Sequence, residues 1–130
     1  MERTFRQLVG FIAAVPVVLG LAGCNAVRPI SSASKPPASA LVISAPFSID
    51  QLSKATFPAG EYRPVYEDNG GYYYQAPSKI VANALFSYMY DGGLYVKRGE
   101  TEPAAWFIVG GGGLMDTGPL SSMPPCQMKP

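Results

Sequence analysis

A tyrosine-dense stretch interrupted by turn-forming residues is the feature that most limits how this chain can fold. All eight tyrosines fall between Tyr62 and Tyr95. Asn69–Gly70 lies between GEYRPVYED and GYYYQA, and Asp91–Gly93 lies between ALFSYMY and LYVKR. Aromatic runs of strand length around such short glycine-containing segments are typical of β-hairpins. The sequence therefore predicts two hairpins in this part of the chain.

Two apolar runs and a proline add to the predicted sheet. Leu41–Ser44 (LVIS) and Trp106–Val109 (WFIV) have the length of strands, and WFIV is expected to be the most buried strand. Pro64 has no backbone N–H, so the strand around it is expected at a sheet edge on the side of its nitrogen. Gly110–Gly113 ends the WFIV strand. It is expected to be an irregular loop, because no Gly-Lys-Ser/Thr follows to make it a phosphate-binding loop.

One short helix is predicted at about residues 49–55. Ser48 is a candidate N-cap, and Gln51 three residues later completes a capping box. Ile49 and Leu52 would be buried on one face of this helix. The predicted fold class is mainly β, at the margin of α+β: a small antiparallel meander of four or five strands with the helix packed on one face.

Side-chain alternation along the second predicted hairpin separates aromatic from aliphatic residues, whichever turn register closes it. The aliphatic face is expected in the core and comprises Leu85, Met89, Leu94 and Val96. The aromatic face is a candidate contact surface and comprises Phe86, Tyr88, Tyr90 and Tyr95. An open aromatic patch is typical of contact with a protein or glycan. The alternative is that these rings serve strand packing and cross-strand pairing.

The N-terminal residues have the organisation of an export signal. Arg3 and Arg6 precede Leu8–Leu21, an uncharged run of 14 residues. As a helix at about 1.5 Å per residue this run spans roughly 21 Å, which is short of a ~30 Å hydrocarbon core. Pro16 also weakens a continuous spanning helix. These features are typical of a cleaved signal peptide rather than of a permanent transmembrane helix.

The end of that run, Leu21–Cys24 (LAGC), resembles the lipobox of bacterial lipoproteins: an aliphatic residue, two small residues, then cysteine. The resemblance covers residues 1–24. It implies cleavage between Gly23 and Cys24, a covalent diacylglycerol on Cys24 and acylation of the new amine. Two or more acyl chains hold a protein stably on a membrane. Because Asn25 rather than Asp follows the cysteine, the resemblance to lipoproteins of enteric-type bacteria implies the periplasmic face of the outer membrane.

Composition divides the chain after the signal peptide of residues 1–23. Residues 24–44, rich in Ser, Ala and Pro, are predicted to be the lipidated cysteine and a flexible tether with a possible short strand. Residues 45–118 are predicted to be the β-rich domain, and residues 119–130 a Pro/Met-rich tail. If Cys24 carries lipid, Cys126 has no intramolecular partner and is a candidate for an intermolecular disulfide or a free thiol.

Composition also argues against an enzyme. The chain has no histidine, which removes the commonest general base and metal ligand. From Cys24 onward it carries eight basic and eight acidic residues without a basic patch, so nucleic acid is not an expected partner. The carboxylate pairs Glu67–Asp68 and Glu100/Glu102 are expected in solvated turns. No metal site and no cofactor beyond the covalent lipid are predicted.

The function expected from these observations is that of a lipid-anchored, non-enzymatic interaction or structural protein of the bacterial cell envelope. Its partners would be the membrane, through the anchor, and an envelope protein or glycan. The alternative is a small lipoprotein inhibitor of an envelope-attacking enzyme such as a lysozyme. Small β-rich lipoproteins with that role exist, and the charged segment Gly99–Pro103 (GETEP) is the candidate inhibitory loop.

Overall fold

The structure is a computed structural model and describes residues 26–51, 54–83, 87–110 and 115–130. All regular elements in these residues are β-strands, and every strand pair is antiparallel within one sheet. The predicted mainly β class is confirmed, but the sheet has more strands than the four or five expected. In the described segments no helix is long and apolar enough to cross a bilayer.

Most strands of the described residues have two to five residues, and most lie between Ala40 and Pro119. They are β1 (Arg28–Pro29), β2 (Ala40–Ile43), β3 (Phe47–Ile49), β4 (Ala55–Phe57), β5 (Gly60–Glu67), β6 (Gly71–Gln75), β7 (Ile80–Asn83), β8 (Ser87–Lys97), β9 (Ala105–Val109), β10 (Met115–Pro119) and β11 (Cys126–Lys129).

Strand register shows that most of these strands are halves of longer, bent arms. β6 and β7 both pair with β8 and together form one arm. β5 pairs with β6 while β4 pairs with β7, which makes β4–β5 the next arm. β2–β3 is the arm beyond, because β2 pairs with β5 and β3 with β4. On its other side β8 pairs with β9, and β9 pairs with β10. The result is a meander of bent arms.

The bends of neighbouring arms coincide with proline and glycine. Pro46, Pro58 and Pro77 stand between the two halves of successive arms, and Gly92–Gly93 occupies the corresponding position in β8. A Cβ on Gly92 would collide with the carbonyl oxygen of Phe107, and one on Gly93 with that of Tyr74. Only glycine lets the two neighbouring backbones approach so closely.

The second predicted hairpin is therefore wrong. Asp91–Gly93 lies inside β8, where Gly93 pairs with Gln75 on one side and with Phe107 on the other. The chain instead reverses between β7 and β8, where Asn83 is opposite Ser87. The first predicted hairpin is confirmed, since β5 and β6 pair across the Asn69–Gly70 turn.

Pro64 lies where the outer side of β5 lacks a partner strand. β2 pairs with β5 only from Gly60 to Tyr62, and β1 pairs only with Tyr66 and Glu67. Among the described residues, Pro64 therefore has a partner strand only on the side of β6, which agrees with the predicted sheet edge.

One face of all these arms forms a single hydrophobic core. Its buried members are Leu41, Ile43, Ile49, Ala55, Phe57, Tyr62, Tyr72, Tyr74, Ala76, Ile80, Ala82, Leu94, Val96, Trp106 and Ile108. Since the described residues include no helix to cover this face, the bent sheet must cover it with its own two halves. The predicted LVIS and WFIV strands are both confirmed, as β2 and β9. WFIV is not the most buried strand, however, because four of the five residues of β6 are buried and only three of the five in β9.

The predicted aliphatic core of the second hairpin is only half correct. Leu94 and Val96 are fully buried. Met89, by contrast, is 69% exposed, so its assignment to the core is wrong. The side chain of Leu85 lies outside the described residues. The prediction failed at Met89 because the assumed turn at Asp91–Gly93 placed it on the face of Leu94, whereas in a continuous strand the two residues face opposite sides.

The helix predicted at about residues 49–55 is wrong in its described part. β3 and β4 pair with each other, and Ile49 stands opposite Ala55. Ser48 is not an N-cap: its hydroxyl oxygen lies 3.3 Å from that of Thr56 across the strand pair. The rings of Phe47 and Phe57 stack with centroids 5.0 Å apart. This cross-strand packing overrides a local capping signal too short to stabilise a helix alone.

The folded domain extends beyond the predicted boundaries of 45–118 on both sides. β1, within the predicted tether, pairs with β5, and Ala38 is buried. β11, within the predicted tail, pairs with β2. The predicted signal peptide, with Gly23, and the predicted lipidation site at Cys24 lie outside the described residues, as does Asn25.

Candidate functional site

The sheet divides the predicted aromatic contact surface into two separate places. Because β8 is unbroken from Ser87 to Lys97, Tyr88 and Tyr90 lie on the face of the core, whereas Tyr95 lies on the opposite face. The side chain of Phe86 is outside the described residues. The prediction that these residues form one surface is therefore wrong, although Tyr88 and Tyr90 do share one face of the sheet.

Tyr88, Met89 and Tyr90 form an exposed group at the end of β8, here called the tip patch. Tyr88 is 48% exposed and Met89 is 69% exposed. The Tyr88 and Tyr90 rings stack with centroids 6.4 Å apart, and Tyr90 packs against the core edge. Tyr88 stands opposite Ala82, whose methyl group is too small to cover the ring. The tip patch thus presents apolar surface on both sides of the strand.

On the other face, the Asp68 carboxylate organises a second candidate site. Its Oδ1 accepts hydrogen bonds from the N–H groups of Gly70 (2.8 Å) and Gly71 (2.9 Å), as in an Asx turn. The Tyr95 hydroxyl also donates to Oδ1 (2.9 Å), and the Tyr73 hydroxyl donates to Oδ2 (2.8 Å). The hairpin turn therefore fixes the carboxylate, and the carboxylate fixes both phenols.

These groups line an open cavity of about 460 Å³, here called the outer pocket. Its lining residues are Asp68, Tyr73, Tyr95, Lys97, Ala104, Ala105, Thr117, Gly118 and Pro119. Burial, followed by the hydrogen bond to Asp68, raises the pKa of both Tyr73 and Tyr95. Both phenols stay neutral at physiological pH and leave oxygen lone pairs free to accept. The outer pocket can bind a polar group, but its residues do not pair a nucleophile with a base.

A third cluster, here called the clamp, centres on Glu67, which is only 4% exposed. The Ser34 hydroxyl and the Ser31 N–H (3.4 Å) donate to its Oε2. Guanidinium nitrogens of Arg98 (3.3 Å) and Arg28 (4.0 Å) lie near its Oε1. The hydrogen bond from Ser34, opposed by burial and aided by Ser31 and Arg98, holds the pKa of Glu67 below its usual value.

Arg98 and two tyrosines complete the clamp. The Arg98 guanidinium lies 4.6 Å from the centroid of the Tyr72 ring and donates to the carbonyl oxygens of Asn69 (3.1 Å) and Asp68 (3.0 Å). The Tyr72 hydroxyl donates to the Lys35 carbonyl (3.1 Å), and the Tyr74 hydroxyl donates to the Ala38 carbonyl (2.8 Å). The clamp thus holds the segment before β2 against the sheet.

The clamp should weaken in acid. A carboxylate whose folded pKa is lowered contributes stability that is complete above its ordinary pKa, near 4.5, and is lost as the pH falls through the folded value. Between pH 7 and pH 3, the hydrogen-exchange protection of the Ile30 and Ala38 amides should fall more than that of Phe107 in β9. In the Glu67→Gln variant, the loss of protection should be similar at all three amides. A similar loss at all three amides in the unchanged protein would contradict the role assigned to Glu67 in the clamp.

Cys126, the candidate intermolecular thiol, lies in β11 opposite Ile43 and is half-buried. Burial, with the negative charge of Glu102, raises the pKa of its thiol, so little reactive thiolate forms at neutral pH. The intermolecular disulfide stays a prediction.

Sequence reasoning missed the roles of Glu67 and Asp68, which it placed in solvated turns. The Asp-Asn-Gly-Gly sequence of residues 68–71 carries a signal for Asp68, since Asp before such a turn bonds the backbone ahead of it. The residues next to Glu67 in the sequence do not indicate its role, because its principal partner, Ser34, is 33 residues away. Among the described residues, no three His, Cys, Asp or Glu side chains are grouped as metal ligands would be.

Comparison of the chain with protein-family models, with curated proteins and with solved structures finds no match.

Proposed function

We propose that the protein is a lipid-anchored, non-enzymatic interaction protein of the bacterial cell envelope. The lipobox-like Leu21–Cys24 supports the anchor. Asn25 supports the periplasmic face of the outer membrane. The described residues support the non-enzymatic part of the proposal, because the carboxylates of Glu67 and Asp68 are both held by hydrogen bonds within the protein. Carboxylates held in this way position structure and are poorly placed to move protons for a substrate.

The observation that carries the interaction role is the exposure of the tip patch. Tyr88 and Met89 are adjacent, large and apolar, and the core is already filled by Leu94 and Val96 on the same strand. A tyrosine ring offers contact area at a low entropic cost, and its hydroxyl can bond a polar partner. A methionine beside it adapts to irregular surfaces. The partner of the tip patch is proposed to be an envelope protein or glycan.

A second function, inhibition of an envelope-attacking enzyme such as a lysozyme, rests on a different feature. Glu100, Thr101 and Glu102 are exposed between β8 and β9, and the buried Pro103 fixes the end of this loop. A charged loop supported on a buried residue is a form that can enter an active-site cleft. The loop and the tip patch are separate, so variants of each distinguish the two functions.

Crosslinking capture from envelope membranes tests the proposal. Tyr88→Ser and Met89→Ser should each lower the yield of the captured partner about fivefold or more, the change that a loss of ~1 kcal/mol of binding gives. Melting temperatures should stay close to that of the unchanged protein, because both side chains are largely exposed.

Met123→Ser is the matched control, since Met123 is also 50% exposed and lies between β10 and β11 rather than in β8. It should capture the partner at full yield. Equal capture by all three variants would refute the tip patch as the contact. A partner lost only in a Glu100→Ala/Glu102→Ala variant, and identified as a cell-wall hydrolase, would favour the inhibitor function.

A further inference from the structure

We propose that the domain is held directly against the membrane in one orientation, with the turns at residues 68–70 and 97–100 facing the lipid headgroups. These turns are here called the membrane-facing end. The proposal rests on the proposed lipid anchor at Cys24. It identifies the occupant of this surface as a phospholipid bilayer that includes anionic headgroups.

Chain direction places the anchor at this end of the sheet. β1 runs antiparallel to β5, with Arg28 opposite Glu67, the last residue of β5. The chain before Arg28 therefore leaves the sheet beside the Asn69–Gly70 turn. The Arg28 guanidinium donates to Oδ1 of Asn69 (3.4 Å), which ties the exit point to that turn.

The link from the anchor to the sheet is short. Cys24 precedes Arg28 by four residues. At no more than about 3.6 Å per residue, the link cannot span more than about 14 Å. A flexible tether made of the whole segment 24–44 would allow the domain to move freely above the membrane. The much shorter link between Cys24 and Arg28 keeps the domain close to the membrane.

The clamp prevents the link from lengthening by detachment of β1. The Ile30 N–H donates to the Val65 carbonyl (3.2 Å), and the Ser31 N–H donates to the buried Glu67 carboxylate. Releasing this segment would break these hydrogen bonds together with those of the Tyr72 and Tyr74 hydroxyls to the carbonyls of Lys35 and Ala38, which is costly. The domain therefore stays within reach of the headgroups.

Charge at the membrane-facing end suits an anionic surface. Arg28, Lys35, Lys97 and Arg98 are all exposed there. The carboxylates of Glu67, Asp68 and Glu100 lie in or beside the same turns, and Arg28 and Arg98 are paired with Glu67, so the basic side chains exceed the acidic ones by one. Basic side chains within a Debye length of anionic lipids are attracted to them.

The tip patch lies at the opposite end of the same strand. Met89 and Lys97 are eight residues apart in β8, up to about 26 Å at the rise of a strand. In the proposed orientation the turns at residues 68–70 and 97–100 contact the bilayer and the tip patch does not, so a partner can reach it.

Fluorescence quenching in vesicles tests the orientation. The lipidated mature protein, with Cys126→Ser, would carry Asn69→Cys or Met89→Cys labelled with a thiol-reactive fluorophore. The lipid thioether leaves Cys24 unreactive toward the label. In phosphatidylethanolamine–phosphatidylglycerol vesicles with nitroxide-labelled headgroups, the label at position 69 should be quenched several-fold more strongly than the label at position 89. Equal or reversed quenching would overturn the proposal.

Two further measurements separate the possible failures. If the protein isolated from envelope membranes carries no lipid and does not float with the vesicles, the anchor itself fails, and with it the proposed function. If it floats but both labels are quenched equally, only the orientation fails. Inserting about twelve Gly/Ser residues between Asn25 and Ala26 should keep flotation and remove the difference, because a linker of that kind is a flexible coil. Quenching unchanged by the insertion would contradict the argument from link length.

Discussion

Replacing Cys24 by serine is expected to abolish labelling of the protein by a fatty-acid probe and to remove it from the outer-membrane fraction. The expected loss is complete, because the thiol is the only side chain in Leu21–Cys24 that can form the thioether to diacylglycerol. Without acyl chains, the neutral charge balance of the mature chain gives no comparable membrane affinity. Metabolic labelling with an alkyne fatty acid, followed by membrane fractionation, measures both effects.

Cys126→Ser is the matched control and should keep both the label and the membrane fraction. It removes the other cysteine of the mature chain, which lies half-buried in β11. Label on the Cys24→Ser protein would show that the lipobox interpretation is wrong, and the proposed anchor and orientation would then both fail.

Gly93→Asn is expected to destabilise the domain severely, by about 3 kcal/mol or more. A Cβ at this position would strike the Tyr74 carbonyl and lie 2.9 Å from the Cα of Gln75, and Phe107 pairs on the other side. Neither backbone can move without breaking its own ladder. Overpacking of this kind costs about 1–3 kcal/mol or more, a large part of the stability of a small domain. Urea unfolding of the mature Cys24→Ser protein measures it.

The same substitution at Gly99 is the control. Gly99 has a φ of +80°, a Cβ added there would meet nothing within 4 Å, and asparagine tolerates positive φ. Gly99→Asn should therefore cost about 1 kcal/mol or less. The contrast also distinguishes two interpretations of Asp91–Gly93, because a hairpin turn there would accept asparagine readily. Equal stability of the two variants would mean that these glycines form a turn after all.

The parts of the fold that the sequence predicted correctly depend on neighbours in the chain. Asn69–Gly70 closes a hairpin because the turn chemistry and both strands lie within a few residues. Trp106–Val109 is a buried strand because a wholly apolar run has few alternatives. The glycines of Asp91–Gly93 carry the same local signal as a turn. Their actual role depends on the backbones of Tyr74 and Phe107, which come from distant strands.

The predictions about the candidate site were likewise correct only where they depended on neighbouring residues. Alternation placed Tyr88 beside Tyr90 correctly, because that inference needs only the strand itself. It failed for Tyr95, because the link between Tyr88 and Tyr95 depended on a turn that does not exist. The clamp was beyond sequence reasoning altogether: its contacts join Glu67 to Ser34 and Tyr74 to Ala38, 33 and 36 residues apart.

The pairing of β11 with β2 has a consequence for how the protein is made. Lys129 stands opposite Ala40, so the outermost ladder joins residues from the two ends of the folded region. Contacts so distant in the chain form slowly, because the closure entropy of the whole loop must be overcome first. The edge of β2, the apolar ALVI strand, is covered only when β11 pairs with it. Until β11 has formed, that edge is open to pairing with other chains, so the folding protein is most prone to aggregation before this last ladder closes.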